Sequence, residues 1–421
     1  MLYDIGFAIF SLFYLPALIF KGKLHAGFAE RFGMFSPDKR RALEDARGAI
    51  WIQAVSVGEV SVCKSLVSKL RTELPDKKIV ISTITKTGND LAKKLFSKDA
   101  LILYFPLDFS PVVKKVVALI KPCMYVMIET EIWPNLLKEL SAGGIPSILI
   151  NGRISDRSIG KYMLARPFLK NTLGRPGRFS MQSGLDAERI ISMGAPGDRV
   201  EVAGNMKFDV DIKADSKAME VLREALSLKA DEELFVAGST HPGEEKVVIE
   251  SFRELLKEFP KLKLLIAPRH VERAGEVEKL VKTLGFEPAR LSNEHRKPNT
   301  ENRIFILDFI GQMSAAYAAA TIVYIGGSLV KHGGQNPIEP AIFGKPVLFG
   351  PYMFNFRDIS AAFLKNNAAI RVQNLEEIVK NAKVLLKDRA NRDEIGKLAK
   401  GTAIAGRGAT GRNVEILKKY A

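Results

Sequence analysis

AIWIQAVSVGEV, residues Ala49–Val60, is the stretch on which the fold turns. Ala49–Val55 is a nearly unbroken apolar run with the length and composition of a strand buried on both faces. Ser56-Val57-Gly58-Glu59 follows without a spacer. Gly58 permits a tight turn, and a helix-like stretch runs from Val60 to Leu74. A buried strand passing straight into a helix is the unit from which parallel sheets are wound.

The same alternation continues outward. Further strands are expected at Lys78–Thr83, Leu101–Phe105, Met124–Ile128, Pro146–Ile150, Arg178–Gln182 and Arg199–Val202, with helices such as Pro111–Leu119 and Ile132–Leu140 between them. The polar stretch GNMKFDVDIKADS (Gly204–Ser216) interrupts the pattern, and a second series follows: Leu234–Ala237, Lys263–Ala267, Ile304–Leu307, Ile322–Ile325 and Pro346–Phe349. Leu375–Lys419 reads as mostly helical. A chain of 421 residues exceeds the usual size of one hydrophobic core. The expected architecture is therefore α/β, with two doubly wound domains facing each other across a cleft: 24–204, a linker at 205–216, and 217–421. Ligands of such sheets bind beyond the strand C-termini, so chemistry is sought in the loops found there.

The net charge of +16 favours polyanionic partners: nucleic acid, anionic lipid or phosphorylated small molecules. No zinc-finger spacing, RNA-binding strand or basic zipper is present, so nucleic acid is not expected. Cys63 and Cys123 lack metal or disulfide spacing. Residues 1–23 hold the one membrane signal. Ile5–Phe20 is apolar but shorter than the roughly 20 residues of a full span, and Lys21, Lys23, Arg31, Lys39, Arg40 and Arg41 follow it. It is expected to anchor the chain in the cytoplasmic membrane or lie in its interface, leaving the domains on the cytoplasmic side.

At the strand ends, Glu59 is either a general base or a helix-start carboxylate that complements the dipole. Glu129-Thr130-Glu131-Ile132-Trp133-Pro134-Asn135 puts two carboxylates at the end of one strand, where each raises the other or needs a cation. Asp209-Val210-Asp211 imitates a metal motif, but in a linker. In the second half, Ala237–Glu244 (AGSTHPGE) offers backbone N–H groups to phosphate, and Arg269 in Ala267-Pro268-Arg269-His270 offers a guanidinium. After Gly326-Gly327-Ser328 comes His332–Pro340 (HGGQNPIEP), where Asn336 can cap a helix whose first turn holds Glu339. No Walker lysine or GxGxxG fingerprint is present.

Taken together these motifs, with AERFG (Ala29–Gly33), NGRIS (Asn151–Ser155), GNMKFD (Gly204–Asp209) and GPYMFNF (Gly350–Phe356), resemble the 3-deoxy-manno-octulosonic acid (Kdo) transferases of lipopolysaccharide synthesis along nearly the whole chain. The resemblance implies the GT-B architecture, two facing Rossmann-like domains. It implies inverting transfer of Kdo from CMP-Kdo to a lipid A precursor. Glu59 matches the family's general base, and Glu129 and Lys207 match residues that stabilise the transition state. Pro268, Arg269, Ile310, Gly311, Gln312, Asn336, Pro337, Ile338 and Glu339 match the CMP-binding segments. Gln53 stands where the family usually has His, and Gly152 where Ala is usual. Arg153 and Arg157 are candidate contacts for acceptor phosphates. No metal or other cofactor is expected, since fixed positive groups can hold the leaving phosphate.

Overall fold

The computed structural model describes residues 27–209, 215–292 and 302–421, together with Tyr3, Asp4 and Gly6. It divides into two compact units, Met1–Asp209 with Arg407–Ala421, and Val210–Gly406.

The first unit is built on a seven-stranded parallel sheet. Its strands are β1 (Ile50–Gln53), β2 (Ile79–Thr83), β3 (Leu101–Tyr104), β4 (Met124–Ile128), β5 (Ser147–Gly152), β6 (Arg178–Met181) and β7 (Val200–Val202). The order is β3-β2-β1-β4-β5-β6-β7. β1, β2 and β4 are buried at every residue, as strands covered by helices on both faces must be. One face packs Trp51, Val80, Leu103, Tyr125 and Phe179; the other packs Ile52, Ile81, Val126 and Ile150 against helix Val57–Glu73.

The second unit repeats this plan with β8 (Leu234–Thr240), β9 (Lys263–Pro268), β10 (Pro288–Arg290), β11 (Ile304–Ile306), β12 (Ile322–Ile325), β13 (Val347–Phe349) and β14 (Ile370–Arg371), ordered β10-β11-β9-β8-β12-β13-β14 and all parallel. In both sheets the winding reverses beside the first strand: between β1 and β4, and between β8 and β12. Adjacent loops diverge at such a switch point and leave a crevice at the strand C-termini. The loops that open there are those beginning at Ala54 and Glu129 in one unit, and at His241 and Gly326 in the other. The two units are Rossmann-like parallel-sheet domains.

Two expected boundaries are corrected. Residues 205–209 are not linker: Met206–Phe208 forms a turn of 3₁₀ helix with Met206 and Phe208 buried in the first unit. Nor does the second domain run to 421. Helix Ala409–Lys418 belongs to the first unit, where Val414 and Leu417 join the core beside Ile50 and Met206. Asp209 accepts hydrogen bonds from the N–H groups of Gly408 (2.6 Å) and Thr410, and Arg412 Nε donates to the carbonyl of Ala203 (2.8 Å). An apolar stripe and an acceptor for its exposed N-terminal amides draw the helix there.

The apolar segment 5–20 lies almost wholly outside the described residues. Among the described residues no helix is long and apolar enough to cross a membrane. Asp4 is tied to the first unit, accepting from Ser110 N (3.0 Å), Ser110 Oγ (2.9 Å) and Asn135 Nδ2 (2.8 Å).

Candidate functional site

In the first unit three separate loops bring Glu59, Glu129, Glu131 and Lys207 together. Glu59 sits in the first turn of helix Val57–Glu73. Its carboxylate folds back to accept from Val55 N (2.7 Å) and Ser56 Oγ (3.0 Å). It thus serves the helix start and faces the cluster at once. Burial, with a smaller push from Glu129, raises its pKa from 4.5 to about 7, against the pull of the Val55 N–H, Ser56 and Lys207.

Glu129 ends β4 with φ of 62°, a left-handed conformation costly for a side chain with a Cβ. Its N–H still bonds the carbonyl of Ile150 (3.1 Å). The turn is held by Thr130 Oγ1, which donates to the carbonyl of Arg153. Lys207 Nζ lies 3.2 Å from Glu129 Oε1, both side chains being about one-fifth exposed. The ammonium therefore meets a carboxylate where water competes weakly. Glu131, two residues on, accepts from Trp133 Nε1 (2.7 Å). Burial and then Glu59 lift it to about 8. At neutral pH such a cluster holds one carboxyl able to take a proton and another that keeps its own.

Glu131 joins the centre although the resemblance points only to Glu59, Glu129 and Lys207; its position two residues after Glu129 at the same strand end is the sequence signal for it. Arg153 is half-buried beside the Glu129 turn, whereas Arg157 is exposed on helix Asp156–Leu164. Asp209 is occupied by its helix contacts, and Asp211 lies outside the described residues. The two departures from the family pattern have local explanations. Gln53 is fully buried and accepts from Ser82, which also accepts from Trp51 Nε1 (2.8 Å). A Cβ on Gly152 would stand 2.5 Å from Met181 Sδ, so alanine would displace that side chain.

The second unit builds its crevice around a buried carboxylate. Glu244 accepts from His241 N (3.0 Å), Tyr324 Oη (2.7 Å), and the N–H groups of Gly327, Ser328 and Leu329. It so ties the loop after β8 to the loop after β12. The backbones touch there: a Cβ on Gly326 would come within 2.3 Å of the carbonyl oxygen of Ser239. His241, buried, stacks on His332 with ring centroids 4.1 Å apart, and its Nε2 lies 3.2 Å from Gln335 Nε2. Burial and the neighbouring His332 lower its pKa, leaving a neutral imidazole.

Arg269 follows Pro268 at the end of β9, exposed, with its N–H on the carbonyl of Thr240 (3.0 Å). Asn336 Oδ1 accepts from Ile338 N (3.1 Å), and its Nδ2 lies 3.4 Å from Glu339 Oε1. Glu339 is raised by burial and held down by Asn336 and Arg269. Pro337 and Ile338 are buried. Ile310-Gly311-Gln312 is the turn before helix Met313–Ala319, with Ile310 84% exposed and Gly311 at φ 106°. From that helix the buried Tyr317 reaches Ser239. The crevice thus presents the Arg269 guanidinium and the Glu339 carboxylate, which suits a phosphate next to a sugar hydroxyl pair.

Comparison with known proteins agrees with both halves. Residues 26–210 match the family model described as 3-deoxy-D-manno-octulosonic-acid transferase (kdotransferase), and residues 223–402 match glycosyl transferases group 1. The 3-deoxy-D-manno-octulosonic acid transferase of Haemophilus influenzae is 32% identical over 397 residues, covering 93% of this chain and 91% of its own. That of Chlamydia pneumoniae is 28% identical, covering 99% and 95%. Among solved structures, a glycosyltransferase from Rickettsia africae (TM-score 0.62, 14% identity, 88% of this chain and 98% of that one) shares the fold. So does UDP-GlcNAc 2-epimerase from Neisseria meningitidis (TM-score 0.61, 15% identity, 88% and 100%). With two sheets wound alike, a carboxylate cluster in one, a phosphate-suited crevice in the other, and these relatives end to end, the chain belongs to the 3-deoxy-D-manno-octulosonic acid transferase family.

Proposed function

We propose that this family member moves Kdo from CMP-Kdo to a lipid A precursor in lipopolysaccharide synthesis. It does so as a GT-B enzyme with inversion, Glu59 acting as general base at the inner membrane's cytoplasmic face. One observation carries the reading: Glu59 is held near pKa 7 inside a cluster in which the Lys207 ammonium lies on Glu129. A base with that pKa is half ionised near neutrality, where proton abstraction is most effective.

The acceptor hydroxyl loses its proton to Glu59 as its oxygen attacks the anomeric carbon of Kdo. The bond to the CMP phosphate oxygen breaks on the opposite face, and the electron pair leaves with CMP. Lys207 and Glu129 form a fixed dipole for the charge that spreads over the sugar during this step. Arg269 holds the departing phosphate; Glu339 and Asn336 take the ribose.

The membrane side of the reading rests on helices Asp156–Leu164 and Arg166–Leu173. Met163, Leu164 and Phe168 are 41%, 87% and 50% exposed, and the neighbouring Arg157, Lys161, Arg166 and Lys170 are also exposed. Phe168 stacks on Tyr3 (ring centroids 5.9 Å apart), two residues before the apolar N-terminal segment. Apolar tips among cations match an anionic bilayer interface. Incubation with CMP-Kdo and the tetra-acylated lipid A precursor should give a product heavier by one or more Kdo units. No mass gain, with CMP bound normally, would overturn the assignment.

A further inference from the structure

Lys207 stands on a short loop, yet its ammonium must be placed accurately. The loop is held by three amide side chains: Asn151 and Gln182 at the C-terminal ends of β5 and β6, and Asn205 beyond β7 at the start of the turn itself. Lys207 N donates to Asn205 Oδ1 (2.9 Å). Asn205 Nδ2 donates to Gln182 Oε1 (2.8 Å). Gln182 Nε2 donates to the carbonyl of Asn151 (2.9 Å), and Asn151 Oδ1 accepts from Met206 N (2.9 Å). Backbone N–H groups can only donate, so both asparagine oxygens are fixed as acceptors and every amide in the chain has one orientation. Asn151, Gln182 and Asn205 are 0%, 7% and 9% exposed. Asn151 adopts φ of 52°, a region that asparagine tolerates better than most residues.

We propose that Asn151, Gln182 and Asn205 are positioning residues for Lys207, a buried amide relay that sets its ammonium against Glu129. Three buried amides near a strand end cost desolvation that apolar residues would avoid. Joined in one direction they fix two consecutive N–H groups, and with them the path of the residue that carries the amine. Lys207 in turn favours the charged form of Glu59. Loosening the relay therefore leaves the base harder to ionise. The inference rests on the reading of Glu59 and Lys207 given above.

The test compares Gln182→Met, Asn205→Ala and Asn205→Ser with Lys207→Met, alone and combined, following kcat and KM against pH and CMP affinity by calorimetry. Gln182→Met and Asn205→Ala should lose roughly 10- to 100-fold in kcat, as expected for a displaced catalytic group. CMP affinity should be unchanged, and the half-maximal pH of the ascending limb should move above that of the wild type. Asn205→Ser keeps an acceptor for the Lys207 N–H and should recover most of the rate. Neither relay variant should cost anything further on a Lys207→Met background. A rate loss without the pH displacement, a loss that multiplies with Lys207→Met, or no loss at all would overturn the relay. A Lys207→Met enzyme with wild-type rate and pH profile would instead overturn the underlying reading of the centre.

Discussion

Replacing Glu59 by glutamine should cost activity and add stability, with a pH dependence that identifies the cause. Raising a carboxyl from 4.5 to about 7 corresponds to roughly 3 kcal/mol, at about 1.4 kcal/mol per tenfold change in proton affinity. The folded chain holds this proton more tightly than the unfolded chain does. The stability linked to it is fully present below pH 4.5, declines as pH rises, and is gone above about pH 7. Glutamine has no such proton to lose. At pH 8 the variant should be more stable than the wild type by about 1–3 kcal/mol, the lower end applying because Glu129 and Glu131 relax when the charge is removed. At pH 5 the difference should vanish or reverse. Transfer should fall by roughly 10²–10⁴-fold at pH 7.5. The two tryptophans of the chain, Trp51 and Trp133, both lie in the first unit, so their fluorescence in a urea titration reports that unit's unfolding. A variant no more stable at pH 8 than at pH 5, relative to wild type, would refute the argument that Glu59 is held in a destabilised charged state. Activity within tenfold of wild type would refute its role as base.

Arg269→Ala should weaken CMP binding by roughly 10- to 100-fold, the range for one charged hydrogen-bonding partner, and unchanged affinity by calorimetry would count against a phosphate contact. Replacing Met163, Leu164 and Phe168 together by serine should lower binding to phosphatidylglycerol vesicles in a flotation assay while leaving CMP affinity intact; equal flotation would remove this face from the membrane argument. Asp209→Ala strands the N–H groups of Gly408 and Thr410, and should lower the stability of the first unit by about 1–3 kcal/mol in the same fluorescence titration. An unchanged midpoint would show that water satisfies those amides.

The buried central strands were legible because burial on both faces leaves a continuous apolar run: Met124–Ile128 and Ile322–Ile325 fall where the sequence puts them. β10 (Pro-Ala-Arg) and β14 (Ile-Arg) were not, since an edge strand of two or three half-exposed residues has no such run. Glu59 and Glu129 could be found because a doubly wound sheet directs attention to strand ends. The amide relay could not. Asn151, Gln182 and Asn205 are separated by dozens of residues, and each alone looks like ordinary loop polarity until the strands are laid side by side. The helical reading of Leu375–Lys419 likewise covers Ala409–Lys418, whose buried stripe holds Val414 and Leu417. A stripe states how much surface must be covered, and says nothing about whose core will cover it.

That helix has a consequence for biosynthesis. Roughly two hundred residues of the second unit are translated between Asp209 and Arg407. At 5–20 residues per second the ribosome needs about 10–40 s to cross them. During that interval the nascent first sheet lacks its last covering element, and the segment bearing Lys207 lacks the anchors that Gly408, Thr410 and Arg412 later provide. A chain cut short by stalled translation would carry every acidic group of the centre and its lysine, with an uncovered apolar face for chaperones or proteases to seize.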